Sequence, residues 1–284
     1  MQPPRSQLDY SLLQDNRMTT QKLEIRLNAN GVAAPAQRAA WQCNEIVAFC
    51  LEAIKESDLT ERPQITSPSM AYRFDGPDLP AGERLVVYEN WLLSKGFHEL
   101  ARGVRETLEE ARVFIELVRF QATEMTWGEF QDYLAALRER VGRLPFPALL
   151  GEVNVRLTSP MDFADEFMSF QKVRNCMEHR AGIVGPPDVG PEQRLTLKLP
   201  RLKMFYNNPA GEEVELVAGT VIDTHQHTGI AEILIKRDTR SKSYALGETV
   251  SFTAAEFNEF AFACYLFGSD VASKLPILLP AERP

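Results

Sequence analysis

Apolar residues recur at steps of three and four over most of this chain, the spacing of helices with one buried face. The longest such run is from about Glu83 to Gln121, through Leu93, Phe97, Leu100, Val104, Leu108, Ala111, Ile115 and Val118. It predicts one long helix or two in line, with Gly96 and Gly103 as weak points. An earlier helix is predicted from about Gln37 to Ser57, with Trp41, Ile46, Val47, Cys50, Leu51 and Ile54 on one side. Thr126 and Glu129 form a capping box that opens a third helix, carrying Phe130, Tyr133, Leu134, Leu137 and Val141 until Pro145 and Pro147 end it. A short segment through Leu149, Val153 and Val155 then leads to the next helix. That helix is predicted over Ser159 to Gly182: Ser159 is its N-cap, Pro160 its first residue, and Asp162 completes a start resembling a capping box. Its apolar face is Phe163, Phe167, Phe170, Val173 and Met177, and Gly182 closes it ahead of Pro186 and Pro187.

Beyond Gly185 the period changes to two. Leu195, Leu197 and Leu199 alternate with polar residues, residues 207–211 (NNPAG) read as a turn, and Val214 to Leu216 resumes the extended pattern. Ile230 to Lys236 and Thr249 to Phe252 are further strand candidates, separated by a charged loop. A capping box at Thr253 and Glu256 then starts a last helix with Phe257, Phe260, Ala261, Cys264 and Val271 on one stripe. Residues 1–37 carry little periodicity and are expected to form a mobile N-terminal arm, and residues 58–82 a loop. The expected architecture is therefore mainly α, one helical domain over 38–284 with a small β insertion at about 192–252 before the last helix.

With 44% hydrophobic and 25% charged residues, the composition is that of an ordinary globular chain. No apolar run approaches membrane-spanning length and the N-terminus lacks an apolar signal core, so a cytoplasmic protein without a membrane partner is expected. The four cysteines, Cys43, Cys50, Cys176 and Cys264, lack the spacing of a zinc site or a disulfide framework. A net charge of −8 means that any surface for nucleic acid must be a local one. Its candidate cations are Lys172, Arg174 and Arg180, with a second group at Arg194, Lys198, Arg201 and Lys203.

Late in the Ser159–Gly182 helix stands Arg174-Asn175-Cys176-Met177-Glu178-His179. This resembles the motif of the HEPN superfamily, an Arg followed four to six residues later by a His, with a polar residue after the Arg. The order of motif helix, β insertion and final apolar helix is also similar to that of some HEPN proteins. The resemblance implies a HEPN-like helical bundle and a metal-independent endoribonuclease with Arg174, Asn175 and His179 as catalytic residues. It also implies a homodimer, because HEPN ribonucleases form one composite site from two motifs. The settings it implies are antiviral defence and toxin–antitoxin systems, with an antitoxin or regulatory protein as a further partner. Other HEPN proteins are non-catalytic modules that bind a nucleotide or a protein, and this remains the alternative.

The chemistry of the residues is compatible with RNA cleavage. An imidazole exchanges protons near neutral pH, and a guanidinium fork matches a phosphate. The exposed carbonyls of the last helical turn favour a charged His179. Lys172 and Arg180 are candidate RNA-binding residues beside the motif, and no metal or other cofactor is expected. Five residues of helix rotate by about 140°, so Arg174 and His179 of one chain diverge. The plain alternative reads Arg174 as a partner of nearby carboxylates and His179 as a C-terminal cation. Glu178 is a departure from a phosphate site that Arg180 is placed to offset. Asp223, His225 and His227, at period two, would share one strand face and could hold zinc, although a fourth ligand is not identifiable. His98 reads as structural. No Walker A loop, GxSxG, HExxH or GxGxxG is found.

Overall fold

A computed structural model describes residues 25–62, 65–67, 69–72, 76–120, 125–217 and 232–276. Among them are six helices: α1 (Ala29–Glu56), α2 (Ala81–Val118), α3 (Trp127–Gly142), α4 (Phe146–Asn154), α5 (Ala164–Arg180) and α6 (Ala254–Ser273). A hairpin, β1 (Ile65–Ser67) with β2 (Met70–Tyr72), lies between α1 and α2. β3 (Arg194–Asn207), β4 (Glu213–Glu215) and β5 (Leu234–Ala245) form an antiparallel sheet in the order β4-β3-β5 between α5 and α6. The chain is thus mainly α with a small sheet before the last helix, as the periodicities predict. It divides into two compact units, and the boundaries fall inside α1, α2 and α6 and after the first residue of α5.

The first unit comprises residues up to 38, residues 102–164 and those from 264 onward. Here α1 begins at Ala29, well before the start near Gln37 that the pattern suggests, so the expected arm to residue 37 is shortened. Its buried stripe is Val32, Ala33 and Ala36, whose small side chains give a weak hydrophobic signal. Pro35 sits within the helix, where its fixed φ is already helical. The small residues permit close approach: a Cβ on Gly268 of α6 would lie 2.8 Å from the Ala33 carbonyl oxygen. The α3 capping box is present, with the Glu129 carboxylate accepting from the Thr126 amide at 2.7 Å. α3 ends at Gly142, ahead of Pro145 and Pro147, and the short segment expected through Leu149 and Val153 is the helix α4, whose first turn accepts the prolines because it needs no amide donors.

The expected N-cap at Ser159 is not used. Residues 158–162 are fastened instead to their surroundings, the Met161 amide to Asn154 Oδ1 (2.7 Å) and the Asp162 amide to Asp270 Oδ2 (2.9 Å). Phe163 has φ of 60°, and α5 starts at Ala164.

The second unit comprises residues 39–101 and 165–263. Its centre is aromatic. Phe97 of α2 lies tilted against Phe170 of α5 at 4.0 Å, stacked on Phe252 at 5.2 Å and edge-on to Phe260 of α6 at 5.9 Å between ring centroids. The buried face of α5 is Phe167, Phe170, Val173 and Cys176, so Cys176 rather than Met177 completes it. On β3, Leu195, Leu197 and Leu199 point into the core as the alternation predicts. The charged run expected as a loop before Thr249 is instead the body of β5, while Thr249 makes only an isolated bridge to Ile183. The reason is charge pairing: Arg240 and Lys242 reach Glu256 and Glu259 of α6. Burial pushes the Glu256 carboxyl up, but the Lys242 ammonium, the Thr253 amide and the Arg240 charge together hold it below the usual carboxylate value.

Gly96, a weak point by propensity, is the place where α2 meets both α1 and α6. A Cβ there would lie 2.6 Å from Phe257 and 3.0 Å from Val47. Phe257 is fully buried and has little room to retreat. Gly96→Ala is therefore expected to lower stability by about 1–3 kcal/mol, the usual cost of overpacking, despite alanine's better helix propensity. Urea denaturation followed by far-UV circular dichroism measures this, and a gain in stability would contradict the packing.

Candidate functional site at the C-terminal end of α5

The polar residues of α5 leave the aromatic core in two directions. Lys172, Asn175 and His179 are three and seven residues apart and share one face. They line an open hollow of about 440 Å³ with Arg180 and residues 187–190. Arg174 lies on another face. Its guanidinium is 2.6 Å from Glu178, and the second Glu178 oxygen is 3.4 Å from His98 Nε2 on α2. The helix thus brings Lys172, Asn175, His179 and Arg180 together, and it directs Arg174 elsewhere.

The turn that carries His179 is fixed from outside the helix. Ala181 and Gly182 both take positive φ, and the Gly182 amide donates to the Cys176 carbonyl at 3.2 Å, closing the helix. The next residues are clipped to the segment before α6: the Val250 amide donates to the Gly182 carbonyl, and the Val184 amide to that of Glu248. A second hollow, of about 560 Å³, opens between this turn and α2, lined by Trp91, Lys95, Glu178, His179, Ser251 and Phe252 among others. His179 is exposed and borders both hollows.

Arg180 is held by Asp188. Its Nε donates to Asp188 Oδ2 at 2.6 Å, its terminal nitrogen donates to Oδ1, and Oδ2 also accepts the Gly185 amide at 2.9 Å. Asp188 raises the guanidinium pKa above its ordinary value. Glu178 is therefore offset by Arg174, and Arg180 is matched to a different carboxylate. Asn175 Oδ1 accepts from Gln171 at 3.0 Å. Lys172 is exposed, with no carboxylate in ion-pair range among the described residues.

Asp188, His98 and Glu178 thus shape the site more than the motif spacing suggests. Asp188 follows two prolines in an irregular segment, where periodicity carries no signal. His98 lies on the polar flank of α2, and only the packing of α2 beside α5 relates it to Glu178. Asp223, His225 and His227 lie outside the described residues. Among the described residues no group of three His, Cys, Asp or Glu is arranged to hold a metal.

Comparison with protein-family models, curated proteins and solved structures finds no match.

Cys176 lies directly beneath this turn. Burial raises its thiol pKa, and the nearby Asp188 carboxylate raises it further. The thiolate needed for attack is thus suppressed near neutral pH. With a thiol-specific reagent at pH 8 and peptide mapping, Cys50 should label in the native protein, and Cys176 only on denaturation. Rapid native labelling of Cys176 would show that the turn is open.

Proposed function

We propose that this chain is a metal-independent endoribonuclease that works as a homodimer. The observation that carries the reading is the shared face of Lys172, Asn175 and His179 on one open hollow at the C-terminal end of α5. A cation, an amide and an imidazole suit a phosphodiester. An imidazole is the side chain most often used as a general acid or base. In the proposed reaction the 2′-oxygen attacks phosphorus as a base removes its proton. The bond from phosphorus to the 5′-oxygen breaks, and an acid protonates the departing oxygen. The products are a 2′,3′-cyclic phosphate and a 5′-hydroxyl. Lys172 and an Arg174 from the second copy would balance charge on the phosphoryl oxygens.

Self-association has support in the apolar surface of the second unit. Trp41, Ile46, Phe49 and Trp91 are each more than half exposed, at 53%, 59%, 75% and 61%. A hollow of about 560 Å³ lined by Cys50, Ile54, Val87 and Trp91 lies among the same two helices. Patches of this kind mark interaction sites. Trp91 also borders the hollow beside His179, so a second copy seated there would stand next to the motif.

The second reading is a non-catalytic HEPN module that binds a nucleotide or a protein partner. The ion pair of Arg174 with Glu178 favours it, because that pair occupies the guanidinium. Antiviral defence or a toxin–antitoxin pair in the cytoplasm is the setting in which we place the ribonuclease reading.

Single-stranded RNA incubated with wild type, Arg174→Ala and His179→Ala, with thermal melts alongside, separates the two. Each substitution should change stability by no more than about 1 kcal/mol, as both residues lie outside the core. Each should cut the cleavage rate by about a hundredfold to ten-thousandfold. Equal cleavage by wild type and His179→Ala would remove the motif from the chemistry. Folded wild type that leaves a varied RNA pool intact but binds nucleotide would establish the second reading.

A further inference from the structure

Period two divides the four cations of β3 between the faces of the sheet. Arg201 and Lys203 turn toward carboxylates: Arg201 pairs with Glu215 and with Asp238 at 3.3 Å, and Lys203 with Glu213 at 2.6 Å. Arg194 and Lys198 take the face opposite to Leu195, Leu197 and Leu199, and they stand exposed there with Thr196 between them. Across the ladder, Ser243 faces Thr196 and Ser241 faces Lys198, and both serines are exposed. Arg194 donates to the Ser243 hydroxyl at 2.8 Å and to its carbonyl at 3.1 Å, which extends the guanidinium along the sheet. Neither Arg194 nor Lys198 has a carboxylate in ion-pair range among the described residues.

Two hydrogen bonds tie this part of β3 to α5 and to the segment that lines the hollow. The Lys198 amide donates to Ser169 Oγ at 3.1 Å, and Ser169 is one helical turn from Lys172. The Gly190 amide donates to the Arg194 carbonyl at 3.1 Å, and Gly190 lines the hollow together with His179. The stretch of β3 that carries Arg194 and Lys198 is thus joined to the helix that carries Lys172 and to the rim of the hollow.

We infer that Lys172, Arg194 and Lys198, with the hydroxyls of Thr196, Ser241 and Ser243, form a track for the phosphates of single-stranded RNA leading away from the hollow. The inference deepens the ribonuclease reading and rests on it for the identity of the polyanion. Charge complementarity favours this occupant. In a chain of net charge −8, these cations stand without carboxylate partners beside hydroxyl donors, while Arg201, Lys203, Arg240 and Lys242 are neutralised. Spaced cations and hydroxyls match phosphates without reading bases, so binding should depend strongly on salt and little on sequence.

The test is fluorescence anisotropy with a labelled single-stranded RNA of about twelve nucleotides, a typical single-strand site length, made with 2′-O-methyl groups so that it cannot be cleaved by 2′-attack. Titrations run from roughly 50 to 200 mM salt, where phosphate contacts dominate the change in affinity. The full chain is compared with the double variant Arg194→Gln/Lys198→Gln and with Arg143→Gln, at the C-cap of α3, as a charge control. The double variant should bind at least about tenfold more weakly and lose about 1.4 from the salt slope, two contacts at roughly 0.7 each. Arg143→Gln should bind as wild type, and melting curves should show every variant folded. Undiminished affinity and slope in the double variant would overturn the track, whatever the cleavage assay shows. Wild type that fails to bind the RNA at the lowest salt would overturn it as well. Loss of binding in the double variant, combined with cleavage that is indifferent to His179, would leave the track standing and remove the catalytic reading.

Discussion

The contact on which the second unit depends is the packing of Phe97 against Phe170, Phe252 and Phe260. It joins α2, α5 and α6 to the segment that leads into α6. Burying one such side chain contributes about 1.5–3 kcal/mol. Favourably oriented aromatic pairs add about 0.5–1.5 kcal/mol each. The buried face of α5, Phe167, Phe170, Val173 and Cys176, sets the rotation of that helix. Once that face is fixed, helical geometry alone sends Lys172, Asn175 and His179 one way and Arg174 another. Function at the end of α5 is in this sense decided by the core beneath it.

Around that core, charge is used mainly to fasten elements. β5 is held to α6 by Arg240 and Lys242 on Glu256 and Glu259, and Arg180 is folded onto Asp188. Such pairs consume most of the cations near the sheet. The exposed cations beside the hollow and on the outer face of β3 stand apart from this scheme, and in the proposed reading a polyanion is their complement. The acidic remainder of the chain would confine a bound strand to this region.

Much of the fold was legible because its signals were local. The long apolar period of α2, the capping boxes at Thr126 and Thr253, and the alternation of Leu195, Leu197 and Leu199 each specify an element without reference to distant residues. The misread boundaries share the opposite character. The start of α1 rests on small residues that meet Gly268 closely, and the end of the 158–162 segment on hydrogen bonds to Asn154 and Asp270. β5 reads as a charged loop until its cations meet the carboxylates of α6. At the site, the divergence of Arg174 from His179 follows from helix geometry alone. The engagement of Arg174 by Glu178, and of Arg180 by Asp188, depends on packing that no periodicity encodes.

That divergence makes the central claim a claim about two chains. If an active centre combines Arg174 of one copy with His179 of another, two inactive proteins should repair each other. Purified Arg174→Ala and His179→Ala, mixed under conditions that exchange subunits, are to be assayed on single-stranded RNA beside each protein alone. Subunit exchange is verified by energy transfer between differently labelled copies. The account predicts that the mixture regains a substantial part of wild-type cleavage while each variant alone stays inactive. Verified exchange without any recovery, or full activity from a strict monomer, would contradict it.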